Sequence, residues 1–318
     1  MRISRRLIGI TGMRDIVERR IPVLTLDSKI DGPTVWLTAC IHGDEVGGTA
    51  IVHDVFAEIA RTGMLRGRLH ALPLINSLGF ENVSRFVNAD REDLNRCFPG
   101  DSHGSMGEQI AHRLFETIVA SRPELVIDLH NDWVHSVPYI LLEPGEWYAS
   151  QRLQQKTLRL SRAARQLVVH EAAAAPGLQR TLTGALVAAG IAAFTMEAGG
   201  AYGIAEEGVG AGMAAILAVL ANLGMIRGGE RAPARKRHEA HLVYSNKPLS
   251  GSSGLVRFSV AAGDRVETNQ VVAKIYSAFG SCEETLRATA PGYVLGIADH
   301  ARAVPGCEVI AIGELTEQ

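Results

Sequence analysis

A group of histidine and carboxylate residues, spread over separate parts of the sequence, suits metal-assisted chemistry. His42 and Glu45 lie three residues apart, between an apolar β-prone segment and a helix-like stretch, and His130 follows a later apolar segment. Imidazole nitrogens and carboxylate oxygens both bind Zn²⁺, and two His with one Glu leave an open coordination position. The sequence therefore predicts one zinc ion per chain, held by His42, Glu45 and His130.

Glu197 closes another apolar segment and is predicted to work beside the metal without binding it. A zinc site lowers the pKa of water and polarises a carbonyl group, and a nearby carboxylate can take the proton and pass it to a leaving nitrogen. Asp128 precedes His130 by two residues, and residues two apart share one face of a strand. We therefore expect Asp128 to orient the His130 ring.

The polar segment 77–104 is unusually long for a connection inside a compact domain, and such loops are usually functional. Arg85 and Arg96 could each form paired hydrogen bonds to a substrate carboxylate, or stabilise an oxyanion. Asn95 could add a neutral hydrogen bond, and Arg91 competes with Arg85 for the same role. This segment is therefore the candidate substrate-binding loop.

The remaining pattern predicts the elements that position these side chains. Apolar segments of strand length alternate with stretches of helical periodicity. This alternation favours an α/β fold with a mixed, mostly parallel sheet covered by helices on both faces, and active sites of open α/β sheets lie at the carboxyl ends of strands. Strands are predicted within 1–30 (two short ones) and at 33–41, 68–75, 125–129 and 191–196, and helices at 46–61, 106–120, 147–166, 182–189 and 209–223.

The chain changes character after the last predicted helix, which predicts two domains, 1–228 and 229–318. Residues 229–240 are charged, as linkers are, and short alternating strands follow, as in a small all-β barrel-sandwich domain. This part resembles a lipoyl or biotinyl carrier, but Phe279 falls at the hairpin position where a carrier has its Lys, and Lys274 lies inside a strand. We expect a scaffold without a covalent cofactor that shapes or covers the active-site mouth.

Composition excludes several classes of partner. The formal net charge of −2 and the absence of a long basic run argue against nucleic acid. No segment reaches the roughly 20 apolar residues of a membrane span, so no membrane contact is expected. The 4 cysteines show no paired spacing and indicate free thiols in a cytoplasmic protein. Whether the chain forms a homo-oligomer stays open.

The ordered motifs resemble the succinylglutamate desuccinylase/aspartoacylase family, a branch of the zinc carboxypeptidase-like fold. They are His42-x-x-Glu45, Arg85-Phe86, the run Asp-Leu-Asn-Arg-x-Phe-Pro-Gly at 93–100, Asp128-Leu-His130, and Glu197 before small residues. Each motif is weak alone, but the set in this order is specific. The resemblance implies zinc ligation by His42, Glu45 and His130, water activation by Glu197, a grip on the substrate carboxylate by Asn95 and Arg96, and carbonyl polarisation by Arg85.

The acyl group and the amino acid stay open at this point. Asp44 stands where aspartoacylases often carry Asn. The predicted function is a zinc-dependent hydrolase that cleaves the amide bond of an N-acylated amino acid or a similar small amide. The alternatives are a zinc carboxypeptidase acting on short peptides, an esterase-type hydrolase, and a non-catalytic protein that binds a small ligand. The sequence does not rank the candidates for a further substrate contact, which are Tyr139, Tyr148, Tyr202, Tyr244 and Arg180.

Overall fold

The computed structural model describes residues 1–10, 19–87, 91–172, 177–228 and 241–316. The strands of the N-terminal part are β1 (Ser4–Gly9), β2 (Arg20–Asp27), β3 (Thr34–Ala39), β4 (Arg68–Leu72), β5 (Leu125–Asp132), β6 (His135–Ser136), β7 (Tyr139–Leu142), β8 (Leu167–His170) and β9 (Ala193–Gly200). The helices are α1 (Gly47–Thr62), α2 (Ser77–Glu81), α3 (Met106–Ala120), α4 (Gln151–Ala163), α5 (Leu182–Ala188) and α6 (Glu206–Asn222).

The centre of the large sheet is parallel and has the strand order β4-β3-β5-β9. Beyond β4, the strands β2 and β1 extend the sheet in antiparallel fashion. Beyond β9, the sheet continues with β7, which is antiparallel to β9, and then with β8, which is parallel to β7. The fold is therefore a mixed α/β fold, as the strand–helix alternation predicts.

Helices cover both faces of this sheet, which confirms the predicted layering. Helix α1 lies on one face, where a Cβ atom on Gly48 would stand 2.9 Å from the Cβ of Leu129. Helix α5 lies on the other face, where the hydroxyl of Thr183 is 3.4 Å from that of Thr195 on β9. Thr195 is the register partner of Asp128, and Asp128 faces away from Leu129 because side chains alternate along a strand. Asp128 therefore belongs to the α5 face.

The two long helices that flank the candidate loop begin where their sequences predict. In α1, Ile51, Val55 and Ile59 recur at helical spacing and are fully buried against the sheet. Helix α3 starts at a capping box in which the Ser105 hydroxyl accepts from the Glu108 N–H and the Glu108 carboxylate accepts from the Ser105 N–H. The fixed start of α3 holds the C-terminal end of the segment that carries the loop motifs.

The structure corrects several predicted boundaries. The β5–β9 ladder continues past His130 and Glu197, so both residues lie inside strands rather than after them. The segment 77–104 is not one irregular loop, because it contains α2 and a short 3-10 turn at Leu94–Arg96. The helix predicted at 147–166 is shorter, because the Ser150 side chain caps it and fixes its start. The four-residue strands β7 and β8 show no alternation long enough to predict them.

The C-terminal part adds strands that pair with one another in antiparallel fashion. They are β10 (Leu242–Ser245), β11 (Gly254–Phe258), β12 (Arg265–Val266), β13 (Val271–Tyr276), β14 (Cys282–Arg287), β15 (Gly292–Ile297), β16 (Arg302–Ala303) and β17 (Ile310–Leu315). One sheet has the order β14-β13-β11-β16. The strands β17, β15 and β12 join the large sheet through β10, which pairs with β8 in parallel. Apolar side chains from both groups of strands share one core, as the predicted all-β sandwich requires.

Two features of the carrier-like part agree with the pattern in its sequence. Phe279 is 98% exposed in the turn between β13 and β14, and Lys274 lies inside β13. The absence of a covalent cofactor stays a prediction. The predicted linker 229–240 lies outside the described residues, so the division into 1–228 and 229–318 also stays a prediction.

Two further observations bear on the predictions from composition. All four cysteines, Cys40, Cys97, Cys282 and Cys307, are free thiols. Among the described residues, no helix has both the length and the apolar character needed to cross a membrane.

Candidate active site

The three side chains predicted as metal ligands lie together at one edge of the sheet. The Glu45 carboxylate stands between the two imidazoles, with Oε1 2.6 Å from His42 Nδ1 and Oε2 2.8 Å from His130 Nδ1. Each residue offers one ligand atom within 4.8 Å of the other two, and all three residues are buried. The Nδ1 atoms of both rings therefore face a common point beside one carboxylate.

A second layer of polar groups fixes this cluster. His42 Nε2 is 3.1 Å from Asp93 Oδ1, and His130 Nε2 is 2.9 Å from Asp128 Oδ2. A carboxylate on the outer nitrogen of a ligating His sets its tautomer and its orientation. Thr38 in turn donates a 2.6 Å hydrogen bond to Asp128. The role of Asp128 follows from strand alternation, whereas the contact between Asp93 and His42 needs the folded loop.

Close backbone packing shapes the segment between β3 and α1 that carries His42 and Glu45. A Cβ atom on Gly43 would stand 1.9 Å from the carbonyl carbon of Gly79 in α2, so only glycine allows this approach. The Asn131 side chain accepts from Gly47 N–H and donates to Ala198 on β9, and its own backbone N–H donates to Glu45 Oε2. Asn131 thus ties this segment to β9 and holds one Glu45 oxygen.

The electrostatics of the cluster favour opposite charges on its members. Although burial lowers the pKa of His130, the carboxylates of Asp128 and Glu45 raise that pKa well above its usual value. Burial raises the pKa of Glu45, but the two neighbouring imidazoles lower it well below its ordinary range. Asp93 follows the same pattern, because contacts with His42 and Arg85 outweigh its burial and lower its pKa. The carboxylates around the two rings thus stabilise positive charge at this point, which is the charge that a bound cation would bring.

Glu197 stands next to the cluster without belonging to it. It is the register partner of His130 in the adjacent parallel strand, so both side chains rise from the same face of the sheet. The Oε2 atom of Glu197 is buried, and it has no hydrogen-bond partner among the described residues. Burial, together with the nearby carboxylates of Asp132 and Glu45, raises the pKa of Glu197 well above its usual value. A buried carboxylate with a raised pKa is a typical general acid and base.

The three loop residues predicted to contact substrate all line the same cavity as the cluster. Arg85 donates from Nε and Nη2 to Asp93 Oδ2, at 3.0 and 2.9 Å, and its Nη1 lies 3.4 Å from Glu45 Oε1. Asn95 accepts from the Leu182 N–H of α5 through Oδ1, at 2.9 Å, which leaves its NH₂ group as the available donor. Arg85 is thus closest to the metal cluster.

The cavity separates the residues that the sequence could not rank. It has a volume of about 810 Å³ and is lined by Tyr139 and Tyr244, but not by Tyr148 or Tyr202. Arg180 pairs with Glu108 at 2.7 Å outside the cavity. Arg91 does not line it either, which leaves Arg85 and Arg96 as its two arginines among the described residues.

Sequence reasoning missed part of the cavity wall. Glu143 and Glu171 follow the short strands β7 and β8, which carry no clear periodic signal. The C-terminal part supplies a further group of lining residues; Tyr244 is among the candidates from the sequence, and distance along the chain from the ligand motifs hides the others. These residues are Val243, Tyr244, Ser245, Asn246, Lys247, Glu308 and Glu314.

The succinylglutamate desuccinylase/aspartoacylase catalytic domain model matches residues 31–223, which is more than half of the chain. The chain belongs to this family. The match contains every predicted ligand and loop residue described above. One relative of this family member is the N-alpha-acetyl-L-2,4-diaminobutyric acid deacetylase of Halomonas elongata, which is 26% identical over 264 residues, or 80% of this chain and 74% of that protein. Family and relative together indicate a hydrolase that acts as an N-acyl amino acid deacylase.

Solved structures agree with the family assignment and with the fold. The succinylglutamate desuccinylase/aspartoacylase from Rhodobacter sphaeroides is 25% identical and has a TM-score of 0.79, covering 95% of this chain and 91% of that one. A metallo-carboxypeptidase from Burkholderia cenocepacia, at 17% identity, has a TM-score of 0.54 over 70% of this chain and 64% of that one. The protein therefore has a carboxypeptidase-like fold. This fold and the cluster of His42, Glu45 and His130 together suggest that the protein binds a metal.

Proposed function

We propose that this protein is a zinc-dependent hydrolase that cleaves the amide bond of a small N-acylated amino acid. The observation that carries the proposal is the convergence of His42, Glu45 and His130 beside Glu197 in one cavity, where Glu197 Oε2 has no hydrogen-bond partner among the residues that the structure describes. Hydrolysis needs an electrophilic centre and a base within reach of the same water. A metal held by the His-Glu-His cluster would be the electrophilic centre, and Glu197 would be the base.

The donor set fits zinc. Two imidazole nitrogens and one carboxylate are the ligand types of hydrolytic zinc sites with an open position, and His42, Glu45 and His130 would hold the ion. The carboxylates of Asp93 and Asp128 already stand on the outer nitrogens of the two rings. A zinc ion bound there would lower the pKa of a water and polarise the scissile carbonyl group.

The protein's own residues carry the proton and position the substrate. Glu197 accepts a proton as the water oxygen bonds to the carbonyl carbon, and it delivers that proton to the nitrogen as the carbon–nitrogen bond breaks. Arg85, beside Glu45, stabilises the developing oxyanion. Arg96 binds the substrate carboxylate, and the Asn95 NH₂ group adds a hydrogen bond. The products are a carboxylic acid and a free amino acid.

The shape of the cavity favours a small substrate over a peptide. Residues from the C-terminal part, including Tyr244 and Lys247, line the same cavity as the metal cluster. A wall contributed by the C-terminal part would restrict a peptide more than a small substrate. The deacetylase relative is named for removing an acetyl group from the α-amino group of a short amino acid, which supports an N-acyl amino acid as the substrate class.

Turnover of a substrate panel tests the proposal. The panel contains N-acetylated diamino acids, N-acetylaspartate, N-succinylglutamate, a short peptide and a small ester, each offered to the zinc-loaded protein. We expect hydrolysis of at least one N-acyl amino acid, loss of that activity after treatment with a chelator, and its return on addition of Zn²⁺. Faster cleavage of the peptide would favour the carboxypeptidase alternative, faster cleavage of the ester the esterase, and binding without turnover the non-catalytic one.

A further inference from the structure

One end of the active-site cavity carries carboxylates that the proposed reaction does not use. Glu143 directly follows β7 and Glu171 directly follows β8, and these two strands are parallel neighbours. The Glu171 N–H donates to the Leu142 carbonyl at 2.8 Å, which keeps the two strand ends side by side. Both glutamates line the cavity that contains His130 and Glu197.

Glu143 is the more deeply buried of the two, with an exposed fraction of 8%. Its Oε1 atom accepts hydrogen bonds from the hydroxyls of Thr181 and Thr183. Within the described part of the chain, its Oε2 atom has no hydrogen-bond partner, and no Lys or Arg nitrogen lies within 4.0 Å of either glutamate. A buried carboxylate that lacks a cationic partner is costly unless something else supplies the charge.

Arg96 is the arginine whose charge acts on these two glutamates, but it cannot pair with them and also bind the carboxylate of the substrate. Arg96 is close enough for its charge to lower the pKa of both Glu143 and Glu171, but it forms no ion pair with either. Its Nη1 atom instead donates to the Asn95 carbonyl at 2.8 Å. The cavity therefore presents a cationic group for a substrate carboxylate and, near it, two carboxyl groups that have no cationic hydrogen-bond partner among the described residues.

We propose that Glu143, assisted by Glu171, binds an ammonium group at the end of the substrate's side chain. The inference rests on the proposed function and narrows its substrate class to N-acylated amino acids that carry a second, free amino group. Arg96 then takes the α-carboxylate and the glutamates take the side-chain ammonium. The two Thr hydroxyls hold Glu143 Oε1, so Oε2 is the atom left for the ligand. Opposite charges attract strongly in a buried, low-dielectric site.

A matched pair of substrates tests this recognition directly. N-α-acetyl-L-2,4-diaminobutyrate and N-acetyl-L-norvaline have side chains of equal length that differ in a terminal ammonium against a methyl group. The zinc-loaded protein should show a kcat/KM at least about tenfold higher for the cationic member. N-acetyl-L-aspartate, which adds a negative charge, should be a poorer substrate than N-acetyl-L-norvaline.

The Glu143→Gln variant tests whether Glu143 causes the preference for the cationic substrate. Gln keeps an acceptor oxygen for Thr181 and Thr183 and removes only the charge. The ratio of kcat/KM for the cationic over the neutral substrate should fall at least about tenfold in this variant. Glu146→Gln is the control, because Glu146 lies on the exposed surface only three residues away and does not line the cavity; its ratio should equal that of the wild type.

Several outcomes would overturn the inference. They are equal turnover of the two matched substrates by the wild-type protein, and an equal loss for both substrates in Glu143→Gln. Should Glu143→Gln fail to fold, Glu171→Gln takes its place, and an unchanged ratio there also overturns it. If no N-acyl amino acid is hydrolysed, the proposed function fails instead. Calorimetric binding of L-2,4-diaminobutyrate against L-norvaline then decides the recognition by itself, and equal affinities would refute it.

Discussion

Glu197 lies directly beside His130, because the two residues are register partners in the adjacent parallel strands β9 and β5. The relationship places a carboxylate, whose Oε2 atom has no hydrogen-bond partner in the described part of the chain, next to a candidate ligand on the same face of the sheet. A proton acceptor in this position is rigid, because it projects from a central strand and not from a loop. It can serve the reaction without binding the metal itself.

Replacing Glu197 by Gln should therefore abolish most turnover and leave zinc in place. Gln keeps the shape of the side chain but cannot take a proton from water, so kcat should fall at least about a hundredfold. Turnover is measured on an N-acyl amino acid that the wild type hydrolyses, and zinc is measured by elemental analysis of the same sample. Near-normal kcat with intact zinc would remove Glu197 from the mechanism.

The metal cluster predicts a graded loss of zinc. His130→Ala removes a proposed ligand and should leave no stoichiometric zinc after dialysis, whereas Asp128→Asn removes only the group that orients the ring and should weaken zinc binding about 10- to 100-fold. His135→Ala is the control, since His135 is exposed and stands apart from the cluster. Full zinc content in His130→Ala would show that the ion binds elsewhere.

The two cavity arginines should affect different kinetic constants. Arg96→Ala removes a grip that acts on bound substrate and transition state alike, so it should chiefly raise KM. Arg85→Ala removes a group aimed at the developing oxyanion and should lower kcat, by about 100-fold if that interaction is fully formed. Steady-state kinetics separate the two cases. Arg180→Ala, whose side chain pairs with Glu108 outside the cavity, should match the wild type; an unchanged KM in Arg96→Ala would place the carboxylate grip elsewhere.

The buried carboxyl of Glu143 should make unfolding depend on pH. Burial and, to a smaller extent, Glu171 raise the pKa of Glu143, and the Thr hydroxyls and Arg96 oppose the rise, so that the pKa is about 7. Between its ordinary pKa and about 7, the folded protein keeps a proton that the unfolded chain has lost. Stability therefore falls as pH rises through this window, and the full cost at pH 8 is about 3 kcal/mol.

Glu143→Gln removes the cost of ionising this buried carboxyl. The unfolding free energy of the variant minus that of the wild type should therefore rise by up to about 3 kcal/mol between pH 5 and pH 8. Urea unfolding at the two pH values measures this difference. The exposed control Glu146→Gln should show no such shift. A constant difference between Glu143→Gln and wild type would mean that Glu143 titrates normally in the folded protein.

The sequence by itself determined the elements and residues with strong local signals. The spacing of apolar residues predicts α1 and α3, Ser105 before the periodic stretch predicts an N-cap for α3, and the segments before His42 and His130 predict central strands. Parallel strands of an α/β sheet present their carboxyl ends at one edge, so residues at those ends are expected to meet. The ordered motifs also carry the family resemblance without a structure, because short motifs and their order can be read directly from the sequence.

Only the tertiary structure decided which distant residues complete the cavity. Tyr139 and Tyr244 could not be separated from Tyr148 and Tyr202 in the sequence, because all four lack a local pattern that reports on distance to the cluster. The pairing of β10 with β8 brings Tyr244 to the cavity, and this contact spans more than seventy residues. Glu143 likewise gains its unmet charge from burial by α5 and neighbouring strands, and burial is a property of packing rather than of residue type.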